Sequence, residues 1–297
     1  MSDNDISYNI IENFCIWEDL LGYGRPFYLN DWNLNNEMAQ SNIGRIKNLE
    51  KILKTVPVPI AEKILFMNDG LIRNVDVHKS GTYVEIYLMW LEYNIQMFRE
   101  INIADIRQGY CGMRGVLTAG NRTQYTGEIL KFSDLVITTR QQDDNIIVYS
   151  PSEFQMNTAF SKAYIMEGQG KNQGLIGPHL FIDLFFIDYF VNMINESPVQ
   201  ELSKQTGTDQ NGRPTIQTCM LNYSSSFVKC EHGFELKVFV DYGVEKILYR
   251  NILFSEEINF DLKDDKKNTM ICTKLYKVAS LWSIEGNKYF DMDSYPR

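Results

Sequence analysis

Two short stretches decide the fold of this chain: FCIWEDLLG at residues 14–22 and ILFMNDG at residues 64–70. Each is a mostly apolar run that reaches an aspartate, Asp19 or Asp69, and then a flexible or turn-forming segment. Asn, Asp and Gly tolerate the dihedral angles of tight hairpins, so residues 68–70 predict a turn between antiparallel strands. Two strands that each deliver a carboxylate to their tip provide oxygen ligands for a hard divalent cation. Such a pair suits two-metal chemistry on a nucleoside triphosphate.

The hydrophobic pattern around these stretches alternates strands with helices, which favours an α/β sandwich over a helical bundle. Beyond residue 190 the pattern weakens, and the polar segment 201–214 is predicted to be a loop. No internal repeat or low-complexity linker divides the chain. The predicted strands are 13–18, 63–67, 71–77, 113–120, 145–149, 180–184, 234–240 and 245–254, and the predicted helices are 43–53, 83–99 and 154–167.

Composition excludes several classes of function. A net charge of -9 argues against wide nucleic-acid binding, which needs a basic footprint. The most hydrophobic stretch, residues 180–191, carries charges and is shorter than the roughly 20 apolar residues of a membrane span. Five cysteines and three histidines are scattered without a CxxC pair, so no zinc site is expected. With no signal-peptide pattern at the N-terminus, we expect a cytoplasmic protein without stable membrane insertion.

Each aspartate by itself has an ordinary alternative, because Asp is common in turns and helix caps at strand ends. Together they favour metal binding, with the carbonyl of Leu20 as an extra oxygen ligand. The segment LLGYG at residues 20–24 can also offer backbone N–H groups to phosphates. We therefore predict phosphate contacts from the amides of Leu20, Leu21 and Gly22.

Four segments in register resemble the class III nucleotide cyclases, most closely the pyrimidine cyclases of the bacterial Pycsar antiphage system. They are EDLLG at residues 18–22, FMNDG at 66–70, MRGVLTAG at 113–120 and FQMNTAFSKAY at 154–164, and the resemblance covers residues 13–185. It implies an α+β fold with a ferredoxin-like βαββαβ core that works as a head-to-tail homodimer with sites at the subunit interface. We divide the chain accordingly into an N-terminal extension (1–12), a cyclase domain (13–190) and a C-terminal extension (191–297) of unclear role.

The resemblance also assigns chemistry to the two aspartates. It implies that Asp19 and Asp69 bind two Mn2+ or Mg2+ ions, while the 3′-hydroxyl attacks the α-phosphate and pyrophosphate leaves. No protein nucleophile is needed, which agrees with the lack of a Ser-His-Asp or Cys-His signature in the sequence.

Two positions depart from the purine cyclases of this family. Leu65 stands where those enzymes carry a lysine that reads the base, and Phe154 stands where they carry its acidic partner. Two bulky apolar residues in place of polar ones suggest a smaller, apolar base pocket, which favours a pyrimidine. The alternative is that both are plain core residues.

The helix motif departs as well. Ser161 and Ile165 stand where the wider family has a ribose-binding asparagine and a transition-state arginine. Pycsar-type cyclases also tend to lack that arginine, so the charge-stabilising cation is unassigned. Arg114 is our first choice, although a buried structural ion pair is the alternative. The other candidate cations are Arg73, Arg122 and Lys162, and Tyr164 is a candidate for stacking on the base or for filling the helix–sheet interface.

The sequence thus predicts a uridylate cyclase that makes cyclic UMP from UTP, as a second messenger in antiphage defence that activates a separate effector. A cytidylate cyclase making cyclic CMP is the nearest alternative. A catalytically inactive cyclase-like nucleotide sensor is the second, supported by Ile165 in place of arginine. A purine cyclase or a metal-dependent nucleotide hydrolase on a similar core is the third.

Overall fold

The computed structural model describes residues 7–55, 62–78, 84–126, 137–139, 147–149, 154, 156–208, 214–243, 245–284 and 287–294. The helices are Arg25–Tyr28 (α1), Glu37–Thr55 (α2), Val84–Arg107 (α3), Thr158–Gly168 (α4) and Leu184–Asn195 (α5), with a short 3-10 helix at Gly170–Gln173. The strands are Ser7–Leu20 (β1), Lys63–Met67 (β2), Gly70–Asp76 (β3), Met113–Thr126 (β4), Ile137–Thr139 (β5), Ile147–Tyr149 (β6), Leu180–Asp183 (β7), Gln200–Thr208 (β8), Pro214–Cys230 (β9), Gly233–Asp241 (β10), Lys246–Lys263 (β11), Thr269–Ser283 (β12) and Lys288–Asp291 (β13).

Strand β1 lies inside an antiparallel unit of four strands in the order β2-β3-β1-β4. Helix α2 connects β1 to β2, and helix α3 connects β3 to β4. This is the ferredoxin-like βαββαβ arrangement, so the predicted α+β class and its core are confirmed. The predicted hairpin is also present: Met67 pairs with Gly70 across the turn, where Asn68 takes a φ of 56°.

Alternation along β1 divides the core between the two faces of the sheet. Phe14 and Ile16 point to the face that helices α3 and α5 cover, and they belong to the larger apolar cluster. Cys15 and Trp17 point to the opposite face, where they pack with apolar residues of helix α4 in a second cluster. The last residues of β1 therefore send alternate side chains to these two environments.

The C-terminal strands continue the core sheet. Strand β7 pairs parallel to β4, β12 pairs with β7, and the order proceeds through β11, β10 and β9 to β8 at the edge. The predicted loop at 201–214 is wrong over its first part, because residues 200–208 form strand β8. The sequence of β8, QELSKQTGT, has no apolar alternation, so its pattern did not indicate a strand. Our three-part division of the chain stays a prediction.

One buried carboxylate joins the core to the C-terminal strands. Asp183 ends β7 and caps helix α5 by accepting a hydrogen bond from the N–H of Phe185. It also accepts hydrogen bonds from the hydroxyls of Thr118 in β4 and Thr273 in β12. Burial raises the pKa of Asp183, and these hydrogen bonds oppose that rise. A single side chain thus connects three strands and a helix.

Helix α4 begins later than predicted. It starts at Thr158, and Asn157 caps it by accepting a hydrogen bond from the N–H of Phe160 over 2.9 Å. Residue 155 of the predicted helix lies outside the described residues. Within the part of the chain that the structure describes, no helix has the length and apolar character needed to span a bilayer.

Candidate active site

The topology brings the two predicted metal ligands to one edge of the sheet. Asp19 pairs with Gly70 in β3 and with Arg114 in β4. Asp69 occupies the β2–β3 turn next to Gly70, and its carbonyl accepts a hydrogen bond of 3.0 Å from the N–H of Leu20. The end of β1 and the hairpin turn are therefore joined directly, with a carboxylate from each.

Negative charge accumulates at this edge. Burial raises the pKa of Asp19 to about 7, and the carboxylates of Glu167 and Asp69 add to the rise, whereas Arg114 and Arg45 oppose it. Closely spaced, partly desolvated carboxylates of this kind are stabilised by a divalent cation, and oxygen donors suit Mn2+ or Mg2+. The donor set fits the predicted ions. Among the described residues, no group of three or more His, Cys, Asp or Glu side chains has the geometry of a metal cluster.

The loop after β1 is fixed by hydrogen bonds within the chain. The N–H of Leu21 donates to the carbonyl of Gly112 over 2.9 Å, and the carbonyl of Leu20 accepts from the N–H of Tyr23 over 3.2 Å. The N–H groups of Leu20 and Leu21 already donate hydrogen bonds within the chain, so the prediction that they bind phosphate does not fit this structure. Gly22, exposed at a φ of 72°, is the part of the loop that faces solvent. The Leu20 carbonyl keeps a second lone pair for a metal ion.

Arg45 supports this loop from helix α2, a contribution that the sequence did not reveal. Its guanidinium donates to the carbonyl of Leu21 over 3.2 Å while forming a buried ion pair with Asp105 of helix α3 at 2.7 Å. The loop after the first aspartate is therefore anchored to both core helices.

Arg114, the predicted charge stabiliser, lies at this edge in an ion pair. Its Nε and Nη2 donate to the Glu167 carboxylate over 2.8 and 2.5 Å, and its Nη1 donates to the carbonyl of Leu175 over 2.9 Å. Both side chains are largely buried. The buried ion pair, which was the alternative role predicted for Arg114, is thus present. The charge of Arg114 also opposes the rise in the pKa of Asp19. Glu167 was missed, although it is the single acidic residue of α4, which is a usable signal.

The other candidate cations lie elsewhere. Arg73 is fully buried and pairs with Glu62 at 3.0 Å. Arg122 forms two hydrogen bonds of 2.6 Å with Asp76. Lys162 donates to the carbonyl of Ala119. Of the four candidates, Arg114 is the one whose charge acts on Asp19.

The two predicted base-pocket residues share one apolar environment. Leu65 and Phe154 are partly buried against the second apolar cluster, which contains Trp17. Ile165, at the position of the family's arginine, packs against the same cluster. Leu65 and Phe154 therefore pack against the same apolar cluster, as ordinary core residues do.

Ser161 lies at the opposite end of helix α4 from Glu167. Its hydroxyl donates to the carbonyl of Asn157 over 2.9 Å in the first turn of α4. Glu167, whose partner Arg114 marks the aspartate edge, lies six residues further along the helix. At 1.5 Å per residue this places Ser161 about 9 Å away along the helix axis.

Aromatic side chains form a further feature of this face that the sequence revealed only in part. The ring centroids of Trp17 and Tyr164 are 5.2 Å apart, and those of Trp17 and Phe160 are 5.9 Å apart. Tyr164, for which both stacking on a base and interface filling were predicted, is half exposed above Trp17.

Comparisons with known proteins found distant structural similarities. No family model matches the chain, and no curated protein does. Among solved structures it is similar to the adenylyl cyclase CyaB from P. aeruginosa, at 13% identity over 72% of this chain and 95% of that chain, with a TM-score of 0.38. The guanylyl cyclase Cya2 is similar at 12% identity over 91% and 93%, with a TM-score of 0.38. A bacterial light-regulated adenylyl cyclase follows at 9% identity over 70% and 90%, with a TM-score of 0.36. At these values the similarities carry no argument about substrate or activity.

Proposed function

We propose that this chain is a nucleotide cyclase of the class III type that converts UTP to cyclic UMP and pyrophosphate. The observation that carries the proposal is the meeting of Asp19 and Asp69 at one sheet edge of a ferredoxin-like core, with the charge of Arg114 beside them. Cyclic UMP would act as a cytoplasmic second messenger in antiphage defence and would activate a separate effector.

The residues at this edge have defined roles in the proposed reaction. The carboxylates of Asp19 and Asp69 and the carbonyl of Leu20 hold the metal ions. Bound there, Mn2+ or Mg2+ would supply positive charge that acidifies the ribose 3′-hydroxyl and stabilises the phosphoryl oxygens. The 3′-oxygen forms a bond to the α-phosphorus, the bond from that phosphorus to the oxygen bridging to the β-phosphate breaks, and the hydroxyl proton passes to solvent. Arg114 adds a fixed positive charge close to the reacting phosphate.

The apolar surface around Leu65 and Phe154 supports a pyrimidine substrate. A purine reader needs charged or polar partners for its ring edge, and neither position provides one. CTP, which has the same ring size, is the nearest alternative substrate.

The position of Ser161 supports a homodimer with shared sites. Ser161 is about 9 Å along the helix axis from Glu167, the partner of Arg114, and we assign it to the ribose at the site of a second copy. In this arrangement one copy provides the aspartates, and the other provides Leu65, Phe154 and Ser161.

An inactive nucleotide sensor is the second candidate, and one observation favours it. Ile165 is packed among apolar side chains where a transition-state arginine is expected, and the guanidinium of Arg114 already donates three hydrogen bonds of 2.9 Å or less. A sensor would bind nucleotide through the same surface and form no product.

The first test is incubation of the purified protein with each of the four ribonucleoside triphosphates and Mn2+, followed by mass spectrometry. We expect cyclic UMP from UTP and no product from the Asp69→Asn variant, which keeps the size of the side chain but loses its charge. Circular dichroism of the variant serves as the folding control. Nucleotide binding without product would favour the sensor, and a linear monophosphate would indicate a hydrolase.

A further inference from the structure

Trp17 lies in the same row of side chains as the predicted base-pocket residue Leu65. Leu65 pairs with Ile72, Ile72 pairs with Trp17, and Trp17 pairs with Val116. Residues opposite one another on adjacent strands point to the same face of a sheet. The indole of Trp17 therefore stands two strands from Leu65, on the face that carries the proposed base pocket.

The fold holds this indole in one place. A Cβ at Gly70 would lie only 2.1 Å from a carbon of the Trp17 ring, so the ring occupies the space that a side chain at residue 70 would fill. Val116 and Ile72 are fully buried beside it. An aromatic ring fixed in this way loses little conformational entropy when a second ring stacks against it.

The indole N–H is the unusual feature of this residue. Trp17 is only 6% exposed, yet its Nε1 has no hydrogen-bond partner in the described structure. A buried Trp N–H usually finds an acceptor, and leaving it without one is costly. Tyr164 packs edge-on against Trp17 and is 54% exposed, so this covering ring can rotate away. An acceptor atom from a ligand would then satisfy the N–H.

We propose that Trp17 is a specificity-determining residue whose indole N–H donates a hydrogen bond to a carbonyl oxygen of the pyrimidine base. This inference rests on the proposed function, since it concerns the base pocket of the same site. Leu65 and Phe154 provide the apolar walls, Tyr164 moves to cover the base, and the Trp17 N–H is the polar group that fixes the orientation of the ring.

The chemistry of the bases makes the proposal specific. Uracil has carbonyl oxygens at positions 2 and 4, whereas cytosine has a carbonyl oxygen at position 2 and an amino group at position 4. Adenine has no carbonyl. An N–H donor in an apolar pocket therefore disfavours adenine, and a donor facing position 4 also disfavours cytosine, because two donors then face each other.

The test compares Trp17→Phe with the wild-type protein by calorimetry, using α,β-methylene-UTP, which has no cleavable leaving group. Phenylalanine keeps an aromatic ring and removes the N–H, so we expect binding to weaken by about 3- to 12-fold, as for loss of one hydrogen bond. The matched control is Trp282→Phe on strand β12, whose indole donates to Asn287 far from this row; it should leave the affinity unchanged. Because the smaller phenyl ring leaves unfilled space beside Gly70, thermal unfolding and circular dichroism of Trp17→Phe check that the variant is folded at the temperature of the binding measurement.

Thio-substituted substrates identify the acceptor. Sulfur is a weaker acceptor than oxygen, so either 2-thio-UTP or 4-thio-UTP should have a lower kcat/KM than UTP in the wild type, and the difference should vanish in Trp17→Phe. Unchanged affinity in Trp17→Phe, or equal use of all three nucleotides by the wild type, would overturn this inference alone. Absence of any pyrimidine-nucleotide binding by the wild type would overturn the proposed function as well.

Discussion

At the scale of single residues, Glu167 keeps Arg114 beside the aspartates. Arg114 reaches across from β4, and the Glu167 carboxylate on α4 accepts two of its hydrogen bonds. The same carboxylate helps to raise the pKa of Asp19. Glu167 therefore acts in two ways: it orients the cation, and it adds to the negative charge that a divalent ion would neutralise.

We predict that Glu167→Gln lowers the free energy of unfolding by about 3 kcal/mol, because it leaves a largely buried guanidinium without its counter-charge. Urea denaturation measures this change. The double variant Arg114→Met/Glu167→Leu should recover much of the loss, since it removes both charges. As a control, Lys54→Ala breaks an exposed pair with Glu50 and should change stability by less than about 0.5 kcal/mol. An equal loss in the single and double variants would contradict the explanation by an unpaired charge.

At the scale of elements, the β2–β3 hairpin packs closely against strand β1 because residue 70, a glycine, has no side chain. Gly70 lies opposite Asp19 on the neighbouring strand, and the Trp17 ring extends over its Cα. Glycine is required here because a side chain would overlap the Trp17 ring, and not because of a positive φ, which residue 70 does not have. The turn that presents Asp69 and the ring proposed to read the base are therefore packed against each other.

We predict that Gly70→Ala destabilises the protein by about 2 kcal/mol, because the new methyl group overlaps the Trp17 ring and forces the strand or the ring to move. The control is Gly44→Ala in helix α2, where a Cβ meets no atom within 4 Å. There the higher helix propensity of alanine should stabilise by about 0.5–1 kcal/mol. Thermal and urea unfolding of both variants give the comparison. A stable Gly70→Ala protein with unchanged near-ultraviolet circular dichroism would show that the ring does not occupy this space.

At the scale of the whole molecule, one continuous sheet connects the aspartate edge to the C-terminal strands. Strands β12 to β8 extend the core sheet beyond β7, and Asp183 joins the two parts through Thr118 and Thr273. In the proposed function the site is shared with a second copy, which provides Leu65, Phe154 and Ser161.

We predict that two inactive variants restore each other's activity when mixed. Asp69→Asn removes the metal site of one copy, and Leu65→Glu blocks the base pocket of the other. Refolding an equal mixture should restore about a quarter of the wild-type activity, because half of the dimers are mixed and each has one intact shared site. Cyclic UMP formation measures the recovery, and sedimentation with circular dichroism checks that both variants fold and assemble. No recovery from folded, mixed dimers would place the complete site within one chain.

Local patterns in the sequence determined the parts of this protein that depend on neighbouring residues. The apolar runs before Asp19 and Asp69 and the turn chemistry of residues 68–70 were sufficient to predict the hairpin, whereas the βαββαβ core was predicted from the resemblance of four segments to the class III cyclases. Strand β8 was missed because its sequence contains a single large apolar residue, Leu202, and the start of α4 depended on one capping side chain, Asn157.

Only the tertiary structure decided which distant side chains meet. The partner of Arg114 lies 53 residues away on α4, and Arg45 reaches Asp105 across 60 residues. The unpartnered N–H of Trp17 and its position over Gly70 also depend on how three strands and a helix pack. Sequence periodicity reports which face a residue occupies, whereas these contacts depend on register and helix placement, which arise only when the whole core packs.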